Sequence, residues 1–306
     1  MALAFHILAH KEPEQVERLV RAILRPENTM ILHFDRRAPR SLHALGSRLA
    51  SDHPNVILQR PRVVLWGGYE VARLPVEAIS LALRSKQAWT HFINLSGQCF
   101  PLKPIEEIAS VLATRTDVSY LTWFDPRADR RWSNAEERVA YTYYWWNWVH
   151  WIMTRPGIGR RMREWLHWDQ ETVPVRRHPS RKFAEGFRYY GGSNWAMLAR
   201  PASEHLVRDP ACQRLLRWCR HACVSDEIFL ATALRGGIWN GPCQNENFRE
   251  MDFPTGTINP RVLTIADLPR LLASSAFFAR KFDIATDASL LDALESHLRP
   301  SRPKLA

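Results

Sequence analysis

The chain alternates between short apolar runs and longer segments whose apolar residues recur at helical spacing. Ala4-Phe5-His6-Ile7-Leu8-Ala9 is a compact run. After Pro13, the residues Val16, Leu19, Val20, Ile23 and Leu24 repeat every three or four positions, the period of a helix with one buried face. Pro13 suits the first turn of that helix. Arg25-Pro26-Glu27-Asn28 marks a turn, and Met30-Ile31-Leu32-His33-Phe34 predicts a second strand that stops on Asp35. Leu42, Leu45 and Leu49 predict a helix, Val56-Ile57-Leu58 a short strand, and Trp66-Gly67-Gly68 the approach to a helix over roughly 70–84. Phe92-Ile93-Asn94-Leu95 reads as a strand, the stretch from Pro104 to Ala113 as a helix, and Ser119-Tyr120-Leu121-Thr122-Trp123 as another strand.

Strand and helix thus alternate every ~25–30 residues, which predicts an α/β fold with a mostly parallel, doubly wound sheet flanked by helices. Ligands of such sheets bind at the carboxyl ends of the strands, where Asp35, Trp66 and Ser96-Gly97-Gln98 fall. Neither G-x-G-x-x-G after the first strand nor G-x-x-x-x-G-K-[ST] occurs, so a nucleotide would bind without a glycine-rich phosphate cradle.

From residue 124 the pattern changes. Charged residues mix with a run of aromatics, Tyr141-Thr142-Tyr143-Tyr144-Trp145-Trp146-Asn147-Trp148-Val149-His150-Trp151. That run suits a sugar-stacking platform, an interfacial membrane belt, or a helix packing its rings. Residues 155–185 are basic and loop-like. Order resumes at Tyr189-Tyr190-Gly191-Gly192-Ser193-Asn194-Trp195, followed by a helix around Leu206–Arg220 and a last helix through Leu290, Leu291, Leu294 and Leu298. The 306 residues therefore read as one domain in three parts: 1–123, the half whose strand ends would bind a nucleotide; a variable aromatic and basic segment, 124–185; and 186–306, whose Ser225-Asp226-Glu227 stretch makes it the acceptor and catalytic half.

Val224-Ser225-Asp226-Glu227 precedes an apolar run, Ile228–Leu234, that reads as a helix ended by Gly236-Gly237. Ser225 suits the N-cap and Asp226 the first turn. A capping box needs Glu or Gln at the third helical position, and Ile228 stands there. Capping leaves Glu227 unexplained and makes it the candidate catalytic base.

Lys and Arg number 42 against 31 Asp and Glu, a formal net charge of +11. That excess favours an anionic partner. Because the cations are dispersed, they do not indicate nucleic acid, and they suit peripheral association with an anionic membrane. No apolar run is long enough to span a bilayer, and the N-terminus lacks the basic region of a signal peptide. Five cysteines, with no zinc-type pair, look like reduced core residues. Together these features predict a cytoplasmic chain.

Ala4–His10, Ile31-Leu32-His33-Phe34-Asp35-Arg36-Arg37, Val64-Leu65-Trp66-Gly67-Gly68, Phe92–Gln98, Gly191-Gly192-Ser193-Asn194-Trp195, Ser225-Asp226-Glu227 and Phe277-Phe278-Ala279-Arg280-Lys281-Phe282-Asp283 follow in an order and spacing that resembles one family. It contains the core-2/I-branching β-1,6-N-acetylglucosaminyltransferases and the peptide O-xylosyltransferases. The resemblance spans nearly the whole chain, is poorest over 124–185, and is closer to the xylosyltransferase branch. That branch has Asp where this chain has Asn194, which removes a charge beside the sugar.

The resemblance implies a GT-A-like fold and an inverting enzyme that moves a sugar from UDP-xylose or UDP-N-acetylglucosamine to a hydroxyl of a protein, glycan or glycolipid. It implies that Asp35 binds the uridine portion, with Ala9, Val64, Leu65 and Trp66 lining its pocket, and that Asn194 and Trp195 border the sugar. Glu227 would deprotonate the acceptor. Arg280 and Lys281 would neutralise the leaving UDP, with Asn259 and Arg261 as weaker candidates at the same end. No cofactor is expected beyond the UDP-sugar co-substrate. Metal-using GT-A enzymes grip the cation with two acids of an Asp-x-Asp; this chain has none, so no metal is expected. The competing expectation is a non-catalytic carbohydrate-binding protein on the same fold.

Overall fold

Strand β1 (Ala2–Ala9) lies inside the main sheet, between β2 (Thr29–Phe34) and β4 (Trp89–Ser96), and runs parallel to both. The structure is a computed structural model that describes residues 1–129, 132, 135–144, 161, 175–177, 181–255, 257 and 259–298. The pleat sends alternate side chains of β1 to opposite faces. Leu3, Phe5, Ile7 and Ala9 pack on one side with α1 (Pro13–Ile23) and α2 (Arg40–Asp52). Ala4 packs on the other, with α3 (Tyr69–Arg84). Two apolar cores thus flank the sheet.

Strand β3 (Val56–Leu58) pairs parallel with β2 at one edge. Beyond β4 come β11 (Met197–Ala199), β6 (Ser119–Leu121) and β12 (Cys243–Asn245), giving the order β3-β2-β1-β4-β11-β6-β12. The sheet is mostly parallel, as the pattern predicts, but β11 runs antiparallel to both its neighbours. Only three residues long, β11 carried no sequence signal of direction, and it brings a strand from the 186–306 half into the centre of the sheet.

The predicted strand Ser119–Trp123 is in fact two. After β6 the chain leaves the main sheet, and β7 (Trp123–Phe124) pairs with β10 (Gly191–Gly192). Gly192 passes so close that a Cβ there would lie 2.4 Å from the carbonyl oxygen of Thr122. The single helix expected around Leu206–Arg220 is also two, α6 (Arg200–Arg208) and α7 (Pro210–Cys219). Pro210 cannot continue α6, and Asp209 restarts the chain by capping the N–H groups of Ala211 and Cys212.

A smaller sheet joins β13 (Arg249–Met251), β14 (Phe278–Arg280) and β5 (Phe100–Pro101). Helices α4 (Ile105–Ala113), α9 (Leu268–Ala273) and α10 (Ser289–Leu298) pack against the core on the α1 side. In the variable segment, α5 (Ala135–Ala140) leads to β8 (Thr142–Tyr144), which pairs antiparallel with β9 (Val175–Arg177). The aromatic run therefore opens as a strand, and 145–151 lies outside the described residues, as does most of 155–180. No helix among the described residues is long and apolar enough to cross a membrane.

Candidate active site

Ala9 and Asp35 lie side by side where β1 and β2 end, with the Asp35 N–H donating to Ala9 O at 2.9 Å. Asp35 is buried. Its Oδ1 accepts from the Arg37 N–H at 2.7 Å, and its Oδ2 from the Val64 N–H at 2.9 Å. Burial favours the neutral acid, but the Arg37 guanidinium and these two N–H groups prevail and hold the pKa below the ordinary carboxylate value. The sequence-predicted uridine group of Ala9, Asp35 and Val64 is therefore one connected patch. Leu65 is buried, whereas the Trp66 ring is 47% exposed at the rim. At the end of β4, Gly97 lets the chain fold over β1, since a Cβ there would sit 2.9 Å from that of Ala9.

Gly67 and Gly68 then tie this patch to helix α8 (Asp226–Arg235). Val224, in the left-handed region at φ 51, donates its N–H to Gly67 O at 3.0 Å. Ser225 does not cap: its backbone is already helical, and its hydroxyl donates to Gly68 O at 3.3 Å. Helix α8 ends at Arg235, just before Gly236-Gly237, as its spacing predicts. Glu227 accepts at Oε2 from Arg138 Nη1 at 2.9 Å, and its side chain stays 37% exposed. Arg138, on α5, also stacks 3.9 Å from the centre of the Trp132 ring.

Asp226 is more than a helix-start residue. Its Oδ1 is sealed from solvent without a hydrogen-bond partner. Burial, and then the neighbouring Glu227, push its pKa up to about 7. Two adjacent carboxyl groups thus occupy different environments, one ion-paired to Arg138 and one with an oxygen sealed from solvent, which is the pattern by which active sites separate the roles of paired acids.

The turn expected to face the sugar is built from beneath. Asn94, on β4, donates from Nδ2 to Asn194 O at 3.1 Å, and the Asn94 N–H donates to Ala196 O. Asn194 is 5% exposed, and neither its Oδ1 nor its Nδ2 has a partner. Trp195 carries the Arg280 guanidinium over its ring at 4.3 Å, with Arg249 at 5.8 Å from the same ring centre. Burial lowers the pKa of both Arg280 and Lys281. Lys281 Nζ donates to Asn259 Oδ1 at 3.3 Å, which brings those two predicted residues together.

Arg261 stands apart from its expected role. Its guanidinium is bound by Asp252 at 2.6 Å and by both oxygens of Asp267, so its charge is already neutralised. Asn94, Arg138, Asp226 and Arg249 lie against the predicted site residues, and none of the four was assigned to the site from sequence. Asp226 reads as a helix-start residue beside Glu227, Arg138 carries no motif beyond charge, and Arg249 sits in an ordinary polar stretch; only the register of β13 beside β14 reveals it. Of the ten buried side-chain atoms without partners among the described residues, six belong to Asn194, Asp226, Arg249 and Arg280. Buried polar atoms are normally bonded, so this concentration marks a place suited to a polar ligand. One set of His, Cys and carboxylate groups among the described residues is close enough to share an ion: His205, Asp209 and Cys212. It lies on α6 and α7, and Asp209 Oδ1 is already committed to capping.

A family model, the Core-2/I-Branching enzyme, matches residues 3–268. The chain belongs to the Core-2/I-Branching enzyme family. Among its relatives, the xylosyltransferase oxt of Drosophila pseudoobscura pseudoobscura is 25% identical over 93% of this chain and 32% of its own length. The N-acetyllactosaminide β-1,6-N-acetylglucosaminyl-transferase of Mus musculus is 25% identical over 97% of this chain and 72% of its own. The chain therefore spans about a third of the first relative and under three quarters of the second. Among solved structures, mouse xyloside xylosyltransferase 1 in its apo form covers 90% of this chain and 97% of that one, at 10% identity and a TM-score of 0.34, a likeness too distant to carry weight. This member of the Core-2/I-Branching family thus carries a glycosyltransferase domain of the core-2 and xylosyltransferase type.

Proposed function

We propose that this Core-2/I-Branching chain is an inverting, metal-independent transferase that moves a sugar from a UDP-sugar, UDP-xylose or UDP-N-acetylglucosamine, to a hydroxyl of a glycan, glycolipid or protein. The observation that carries the reading is the stitching of Val224 and Ser225 to Gly67 and Gly68. It fixes the candidate base Glu227 relative to the Asp35 patch. Glu227 removes the acceptor proton while the acceptor oxygen attacks the anomeric carbon. The bond from that carbon to the β-phosphate oxygen breaks, and its electron pair leaves with UDP. The proton ends on Glu227, and the carbon inverts.

Arg138 orients the Glu227 carboxylate through its 2.9 Å bond, leaving the second oxygen for the acceptor. Arg280 and Lys281 supply positive charge to the departing diphosphate, electrostatic stabilisation of charge that develops in the transition state. The lack of an Asp-x-Asp supports metal independence. Asp35 and the Val64 backbone hold the uridine end, and the Asn194 amide, with an unused donor and an unused acceptor, faces the sugar hydroxyls.

The test is a donor panel of UDP-xylose, UDP-N-acetylglucosamine, UDP-glucose, UDP-galactose and UDP-glucuronate, scored by UDP release with and without EDTA. Release from one of the first two, unchanged by EDTA, supports the reading. Loss in EDTA that only manganese restores overturns metal independence, and release confined to another donor overturns the donor assignment.

A further inference from the structure

Arg249 is the least accommodated charge in the described structure. It is 8% exposed, donates from Nη2 to Asn94 O at 3.0 Å, and leaves Nε and Nη1 sealed from solvent with no partner. No carboxylate among the described residues forms an ion pair with it. A buried, unpaired cation is costly, and here a second stands beside it. Arg249 pairs with Phe278 across the β13–β14 ladder, and Arg280 lies two residues further along, so the period of the strand puts both guanidinium groups on one face. They meet at the Trp195 ring, and the Arg249 guanidinium also lies 4.9 Å from the centre of the Phe278 ring. Burial brings the Arg249 pKa down to about 10, so it remains a cation at neutral pH.

We propose that Arg249 is a positioning residue for the diphosphate of the donor, a sealed positive charge that holds Arg280 toward the ligand by repulsion and adds its field at the leaving group. The proposal rests on the reading of the donor as a nucleoside-diphosphate sugar. Both guanidinium groups lie against Trp195, Arg280 the closer of the two, and in this proposal Arg280 is the cation that meets the phosphates. No carboxylate among the described residues forms an ion pair with Arg249 or Arg280, although Asp226 lies within electrostatic reach of Arg280; a bound diphosphate gives the two cations a direct anionic partner. Through Asn94, which also bonds Asn194, the same guanidinium braces the turn that faces the sugar.

The test compares uridine and UDP binding by calorimetry in the full chain and its variants. Arg249→Met keeps an unbranched side chain and removes the charge, whereas Arg249→Lys keeps the charge. For Arg249→Met we expect UDP affinity to fall about tenfold or more, as loss of a nearby partly buried charge implies, with uridine affinity changed by less than about twofold. Arg249→Lys should recover most of the UDP affinity, and in transfer assays Arg249→Met should raise the donor KM. UDP affinity equal to the parent's in Arg249→Met overturns the proposal. So does a parallel loss of uridine and UDP, which marks a merely structural role. If Arg249→Met does not fold, Arg249→Lys decides alone: near-parental binding of both ligands supports the proposal, and loss of both overturns it. Failure of the parent to bind UDP overturns the donor reading and this proposal together, whereas parental UDP binding that Arg280→Met weakens and Arg249→Met does not overturns the proposal alone.

Discussion

The guanidinium carbon of Arg280 lies 4.3 Å from the centre of the Trp195 ring. The tryptophan expected to border the sugar therefore carries a cation against its ring, and under the proposed function its effect on the donor passes through that cation. Such contacts contribute about 0.5–2 kcal/mol, most when desolvated. Trp195→Ala should weaken UDP binding by about twofold to about thirtyfold on that scale, and Trp195→Phe by less. Calorimetric titration with UDP checks this order, and a Phe variant as weak as the Ala variant would contradict it.

Asp226 ties stability to pH. In the unfolded chain it loses its proton near the ordinary 3.8, and in the folded protein it keeps it to about 7. Between those values the folded state holds more protons, so stability falls as pH rises, and above pH 7 the loss is complete. Asp226→Asn removes a carboxyl that resists ionisation. It should stabilise the protein at pH 8, on the order of 1–3 kcal/mol, and have little effect at pH 4. Thermal unfolding at the two pH values measures the difference.

Gly192 is a backbone crossing point. A Cβ there would meet Thr122 O at 2.4 Å and the Ala231 side chain at 2.8 Å. Neither can give way without moving β7 or α8. Gly192→Ala should cost about 1–3 kcal/mol, the usual range for overpacking a filled site, and lower the melting temperature accordingly. A variant as stable as the parent would show that the crossing is looser than it stands.

The order of these elements was largely legible because two periods carry it. The runs that became β1, β2 and β4 are short, apolar and buried on both faces, and α1, α2 and α3 repeat at helical spacing. Asp35, Glu227 and the Arg280-Lys281 pair stood out by position, at the end of a strand, at the start of a helix, and between aromatics. What was not legible depends on contacts far apart in the chain. Ser225 looks like a cap, yet its hydroxyl reaches Gly68, 157 residues away. Arg261 looks like a free cation until Asp252 and Asp267 fold around it. Arg249 gains its meaning from a ladder with β14, and β11 takes its antiparallel direction from two strands that lie outside its own neighbourhood.

The most direct test of the central claim compares the parent chain with Glu227→Gln in acceptor-dependent UDP release, in the presence of EDTA. Transfer in the parent should persist with EDTA. In Glu227→Gln it should fall by about 10²–10⁴-fold, the usual contribution of a general base, while UDP affinity stays at the parental value. Equal transfer rates in the two proteins would contradict the assignment of Glu227, and no transfer by the parent with any donor would favour a carbohydrate-binding protein without chemistry.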